Sequence, residues 1–360
     1  MDWDELLAAA EHHSVSPLLA RHLAALPGGV PPRVLAALRE RSDRNALRNI
    51  FLTRHLAELL QRLAAEDVRA MPIKGPVLAI AAYGDLALRE FGDLDIVVHP
   101  RDFDRARSLL AAWGYVPRAR LTSAGEYALR ATDHHIPLVS PDRQVKVELH
   151  WSLGRGRLGR DDAWVWSNVR PVSILGMELP SLSWSALLVY LCAHGAGHGW
   201  GNLGWIRDVA GILLSNAEGT LRDAPRLAAA ASARRRLALG VALAHELLGA
   251  PIPGDMERGI DRTMTDDRAV RRLLSEVHAM LRAEDAPTAL EWLSFQCRTR
   301  DSVGDMAAYC AHVIAAPRVA DVEWISLPHP LRWAYYVMRP ARLVAKRLRR
   351  VPTPGSGLDS

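Results

Sequence analysis

Asp93 and Asp95 stand two residues apart at the head of an apolar run, Leu94-Asp95-Ile96-Val97-Val98. Residues i and i+2 of a strand point to the same side, so the two carboxylates are expected to project together. Adjacent carboxylates repel and favour a cation between them. Hard carboxylate oxygens suit magnesium or manganese. Upstream, Met71-Pro72-Ile73-Lys74-Gly75-Pro76 reads as a short strand ended by a glycine turn. Gly75 lets the backbone approach a phosphate, with amides of the turn and of the following helix as donors. Pro76 removes one of those amides. Lys74 is a candidate phosphate contact or a structural cation. Arg89 is a candidate second clamp or a partner for Asp93 or Asp95.

A third acid lies on Gln144-Val145-Lys146-Val147-Glu148-Leu149-His150. The run alternates, with Val145, Val147 and Leu149 on one side and Lys146, Glu148 and His150 on the other. Glu148 is a candidate metal ligand, and an ordinary exposed strand face is the alternative. His150 shares its side and could support the acid or meet an acceptor. His194 and His198 stand four apart and share a helix face. No third ligand is evident near them, so they are expected to line the cleft or to pack against Trp200 and Trp205. Asp208 is a cleft candidate, or a cap or partner for Arg207. His134-His135 beside Asp133 lacks the His-Asp order of a metal phosphohydrolase and is set aside. Trp151 is a candidate for stacking on a base.

The elements that must position these residues follow from pattern. Residues 2–26 read as two short helices, and residues 32–66 as one long helix whose leucines recur at helical spacing. Strands are expected at 69–74, 94–98 and 144–150, helices at 76–84 and 101–113, and a small hairpin around Leu175-Gly176. From Ser183 onward the chain reads as almost wholly helical. The domains expected are an N-terminal helical cap (1–66), an α/β core (67–182), a helical lobe (183–350) and a disordered tail (351–360).

Composition bounds the rest. A chain of 360 residues exceeds what one core usually holds. Its apolar content of 49% is that of a globular protein. No apolar run is long enough to span a bilayer, and the acidic start lacks a signal peptide, so a cytoplasmic location is expected. Cys192, Cys297 and Cys310 suggest a reducing compartment without a disulfide framework. The net charge of +5 is concentrated near the C-terminus. There Arg339, Arg342, Lys346, Arg347, Arg349 and Arg350 could touch an anionic partner or form a solvated helix end.

Taken in order, these motifs resemble the polymerase-β-type nucleotidyltransferase superfamily. The match in detail is to its family of mostly uncharacterised bacterial nucleotidyltransferases. It rests on Lys74-Gly75, Arg89…Gly92-Asp93-Leu94-Asp95, Glu148-Leu149-His150-Trp151, His194…His198 and Trp205-Ile206-Arg207-Asp208, across most of residues 10–215. The resemblance implies an α+β fold, with a small mixed-sheet core flanked by an N-terminal helical cap and a C-terminal helical lobe. It implies transfer of a nucleoside monophosphate from a nucleoside triphosphate such as ATP to an acceptor hydroxyl or phosphate. Asp93, Asp95 and Glu148 would be the catalytic metal ligands, for Mg2+ or Mn2+. Lys74, Gly75, Arg89 and Gly92 would hold the nucleotide, with His150, His194, His198 and Asp208 in the cleft. The acceptor could be a small molecule, a peptide, a protein or an RNA, and tailoring of a natural product or peptide is one expected setting. Two alternatives stand beside this reading: a catalytically weak nucleotide- or partner-binding module, and a toxin-like enzyme acting on tRNA.

Overall fold

A computed structural model describes residues 2–118, 122–130, 132–154, 162–215, 219–257, 268–283, 286–325, 327–331 and 333–348. The expected disordered tail, 351–360, lies outside them. The chain forms two compact units: Met1–Pro117 with His134–Met306, and Arg118–Asp133 with Ala307–Ser360.

The first unit opens with α1 (Trp3–His12), capped by the Asp2 carboxylate, which accepts from the amides of Asp4 and Glu5. α2 (Ser16–Ala24) follows, with Pro17 in its first turn. The long helix expected from the leucine spacing is α3 (Pro32–Ala65). It buries Leu52, Leu56, Leu59, Leu60 and Leu63 as one stripe. After it come β1 (Ala70–Pro72), α4 (Gly75–Tyr83), β2 (Leu94–Val98), α5 (Phe103–Ala112), β3 (Val116–Pro117), β4 (His135–Val139) and β5 (Lys146–His150). The five strands make one sheet in the order β1-β2-β5-β4-β3. β2 and β5 run parallel, and the other neighbours run antiparallel. The class is α+β, as expected. The hairpin is β6 (Val169–Ile174) and β7 (Met177–Leu182). Leu175 and Gly176 both take positive φ, 52° and 77°, as a tight two-residue turn demands.

β3 and β4 were not apparent from pattern. Pro137 interrupts β4 and argues against a strand, since proline cannot donate to a ladder. The fold accommodates it because, among the described residues, β3 pairs only with Leu138 and Val139 and Pro137 is paired with β5 alone.

The sheet has a dry face and a chemical face. Leu94, Ile96 and Val98 of β2, with Val147 and Leu149 of β5, pack against α3 and against Phe103, Ala106 and Leu110 of α5. The alternate residues, Asp95, Glu148 and His150, therefore point the other way. On that side lies a helical layer. α8 (Trp184–Gly197), buried along nearly its whole length, packs with α9 (Leu203–Ser215), α10 (Ala224–Ala230) and α11 (Arg234–Leu248). The shorter helices α6 (Ser123–Arg130) and α7 (Asp162–Trp166) precede it in the chain.

In the second unit Tyr335 is fully buried with Ala124, Ala128 and Val322. Its hydroxyl donates to the Ile325 carbonyl and accepts from the Leu327 amide, both at 2.9 Å. Asp321, 2% exposed, pairs with Arg339 at 2.8 Å and Arg342 at 2.6 Å. Two members of the C-terminal basic cluster are thus engaged internally. The side chains of Lys346, Arg347, Arg349 and Arg350 lie outside the described residues.

α9 fixes α4, the helix that carries the glycine turn. A Cβ added at Gly211 would stand 2.7 Å from the Ala82 Cβ and 2.8 Å from the Ala82 carbonyl oxygen, with no flexible side chain to yield. Gly→Ala inside a helix ordinarily stabilises by about 0.8–1 kcal/mol. Gly211→Ala is expected to reverse that sign and destabilise by about 1–3 kcal/mol through overpacking, read from the urea midpoint at unchanged m-value.

Candidate functional site

Strand register builds the site. Asp95 lies opposite Glu148 on the parallel pair β2 and β5. His150 follows Glu148 at i+2, and His135 of β4 is its direct cross-strand partner. Four side chains from three adjacent strands therefore share one face. Asp93 precedes β2 by one residue and feels the charges of Asp95 and Glu148.

Asp95 is only 4% exposed. Its Oδ1 meets the Lys74 Nζ at 3.1 Å and the His150 Nε2 at 3.1 Å. Burial alone would raise its pKa, but the Lys74 charge and the His150 hydrogen bond hold it well below the usual carboxylate range. Burial also opposes the charge on Lys74. Its neighbours Tyr190 and Asp95 outweigh burial, so the ammonium persists. Tyr190 itself is kept neutral by burial. Asp93 is displaced upward by burial, then by Asp95 and Glu148. Glu148 moves the other way: burial would raise it, but the hydrogen bond with His150, helped by the nearby imidazole charges, brings it down. His150, 3% exposed, is raised because its bonds to Asp95 and Glu148 exceed the penalty of burial.

Gly75 opens α4 at φ +56°, a conformation that favours glycine. A Cβ there would lie 3.9 Å from the Asp93 carbonyl oxygen and 3.8 Å from the Phe91 ring, so the turn lies alongside the strand that carries the acids. No side chain caps α4. With Pro76 in its first turn, Gly75 and Val77 supply the amides there. Gly92 offers its carbonyl to Arg48 at 3.3 Å.

Arg89 departs from the expected phosphate clamp. Its fork is committed to Asp208: Nε lies 3.1 and 3.2 Å from the two carboxylate oxygens, and Nη2 lies 3.1 Å from Oδ2. The Tyr83 hydroxyl donates to Asp208 at 2.6 Å. Asn49 donates to the Arg89 carbonyl at 2.7 Å, and Arg207 donates to the Leu88 carbonyl at 3.1 Å while covering the Tyr83 ring. Asp208, 3% exposed, therefore serves as a buried anchor between the Arg89 loop and α9. Its main partner is Arg89, with Arg207 more distant at 3.8 Å.

His194 stands one helical turn beyond Tyr190 on α8, with ring centroids 5.9 Å apart. It meets His198 at 4.6 Å and Trp205 at 6.0 Å. These rings form a wall beside Lys74. Among the described residues, neither histidine belongs to a group of three metal-type donors. Trp151 packs edge-on against Phe103 on the dry face, which turns it away from the acids.

Of two further contributors, Tyr190 carries no local sequence signal that was used, and His135 belongs to the doublet set aside above. Tyr190 lies at i−4 from His194, a spacing that places both on one helix face. His135 lies on the strand that Pro137 concealed.

The fold and site define an α+β protein in which a Lys-Gly turn faces carboxylates on adjoining strands. The chain belongs to a family described as uncharacterised nucleotidyltransferases, whose profile matches residues 1–249. No curated protein matches the chain at a significant level. No helix among the described residues is long and apolar enough to cross a membrane.

Removing one partner of a buried ion pair strands the other. Asp208→Asn is expected to lose about 3–5 kcal/mol of unfolding free energy, and Arg89→Met/Asp208→Leu less than the two single losses combined, by denaturant titration.

Burial, then Lys74 and His198, push the His194 imidazole well below its ordinary value, with Asp95 opposing and His134 adding to the shift. The unfolded chain protonates this ring near pH 6.5, and the folded chain does so only at lower pH. The unfolded state then binds more protons, so this group's contribution is full above about pH 6.5 and is lost as pH falls. His194→Phe should flatten the acid limb of the stability–pH profile relative to wild type.

Proposed function

We propose that the protein transfers a nucleoside monophosphate from a nucleoside triphosphate to an acceptor hydroxyl or phosphate. Asp93, Asp95 and Glu148 would hold a divalent cation, Mg2+ or Mn2+. The observation that carries this reading is the register of Asp95 with Glu148 on parallel strands, alongside a Lys74-Gly75 turn at a helix N-terminus. The donor set suits a cation. Asp95 and Glu148 share one face, the pKa of Asp93 is raised first by burial and then by these two acids, and Lys74 pairs with Asp95 alone.

The triphosphate would lie along the turn, with the amides of Gly75 and Val77 and the Lys74 ammonium as donors. A bound divalent cation would supply charge neutralisation at the phosphoryl oxygens. The acceptor oxygen forms a bond to the α-phosphorus as the bond to the bridging oxygen breaks. Pyrophosphate departs with that electron pair. The acceptor proton passes to Glu148, the less buried of the two register-paired acids. Arg89 acts at one remove, by anchoring the loop that leads into Asp93. The acceptor, whether small molecule, peptide, protein or RNA, and a tailoring role both belong to this proposal.

The test is pyrophosphate release from labelled nucleoside triphosphates with magnesium and a panel of acceptors. Asp95→Asn and Glu148→Gln are each expected to lower turnover at least about 100-fold, the effect of losing several kcal/mol of charge stabilisation. Nucleotide binding without turnover across the panel would instead mark a binding module, the reading that Pro76 favours.

A further inference from the structure

We propose that the second unit, Arg118–Asp133 with Ala307–Ser360, docks peripherally on an anionic lipid bilayer, through Trp324, Trp333 and Val337 set in a basic field. This inference stands apart from the transfer chemistry and does not rest on it.

Charge is the first support. The unit holds eleven arginines and lysines against five aspartates and glutamates, a net of +6 in a chain whose total is +5. The rest of the chain is therefore close to neutral. Asp321, Arg339 and Arg342 are committed to one another, which leaves nine cations against four anions. Such an excess is drawn to the negative potential of an anionic leaflet, and salt screens the attraction.

The C-terminal helix, Ala334–Leu348, supplies the second support. Tyr335, Arg339 and Arg342 recur at helical spacing and turn inward, where Tyr335 is fully buried and both arginines reach Asp321. Val337 stands two residues from both Tyr335 and Arg339, about 200° around the helix, and so faces outward. Trp333 lies one turn before it and Ala341 one turn after, both exposed. The Tyr335 hydroxyl holds the Ile325 carbonyl and the Leu327 amide, which brings the end of the helix Val319–Trp324 beside the start of this one. Trp324 and Trp333 are each 61% exposed and Val337 is 62% exposed. The other nine of the chain's eleven tryptophans are buried or half-buried.

The combination selects the partner. A bilayer interface seats indole rings at headgroup level, takes aliphatic side chains just below and meets cations with lipid phosphates. RNA would answer the charge but leave Val337 and the exposed Ile325 and Leu331 in water. A second copy would set one +6 surface against another. No helix among the described residues is long and apolar enough to cross a membrane, so the contact is one of surface docking.

The full chain should be sedimented with vesicles of phosphatidylcholine alone and with vesicles of equal parts phosphatidylcholine and phosphatidylserine. Binding is expected to the mixed vesicles only, with a blue shift of tryptophan emission, and should fall as salt rises from about 0.1 to 0.5 M. Trp324→Ser/Trp333→Ser should weaken binding at least about tenfold, a loss of about 1.4 kcal/mol, and abolish the shift. Alanine at Lys346, Arg347, Arg349 and Arg350 together should remove the preference for phosphatidylserine. The urea midpoint verifies that the variants fold. No binding to mixed vesicles, equal binding to both kinds, or unchanged binding in the folded double-tryptophan variant would each overturn the proposal. So would polyuridylate binding, or a dimer seen by light scattering, that the same variant loses while vesicles are ignored. Pyrophosphate release without vesicles tests the transfer reading separately.

Discussion

A carboxylate removed from water must be neutralised where it sits, and Asp95 imposes that constraint on the rest of the molecule. Its partners come from separate parts of the chain: Lys74 from the turn after β1, and His150 from β5. Tyr190, from α8, lies close enough to the lysine to feel its charge. Each partner is itself buried or nearly so, and each would be costly to bury without Asp95. The elements cannot shift independently without stranding a charge. Pairing of this kind adds little net stability, but it strongly penalises any arrangement that separates the groups. The chemical face of the sheet is thus fixed by electrostatics, whereas the dry face is fixed by packing leucine, isoleucine and valine against α3 and α5.

Much of this arrangement is legible in the sequence, and the part that is not has a physical cause. That Asp95, Glu148 and His150 share a side is recoverable because a period of two separates the faces of a strand, and the apolar alternation marks which side is dry. The long helix α3 is recoverable from its leucine stripe, and the hairpin from Leu175-Gly176. Pairing between strands is not a local property. That His135 lies opposite His150 depends on an antiparallel register between strands separated in sequence, and Pro137 disguised one of them. Arg89 shows the opposite failure. An arginine before Gly-Asp-x-Asp reads naturally as a phosphate ligand, yet its buried fork already has a carboxylate, Asp208, supplied by a helix far along the chain. Local pattern identifies which residues can do chemistry, and tertiary structure decides which of them are already committed.

The helical layer is accordingly part of the site. Tyr190 and His194 lie on the face of α8 turned toward Lys74, and α9 holds both Asp208 and the close packing against α4. The matched family region, residues 1–249, runs through these helices instead of stopping at the sheet. The region that the family profile spans is larger than the α/β core that bears the acids.

The Arg89–Asp208 pair also has a meaning in time. Its two residues are separated by 119 positions. At a synthesis rate of about 5–20 residues per second, the arginine leaves the ribosome on the order of ten seconds before its counter-ion exists. Within that interval the strands from β2 to β5 are made, while the loop leading into Asp93 still has no anchor. The residues of the acidic face are thus all synthesised before the carboxylate that anchors the loop leading into it.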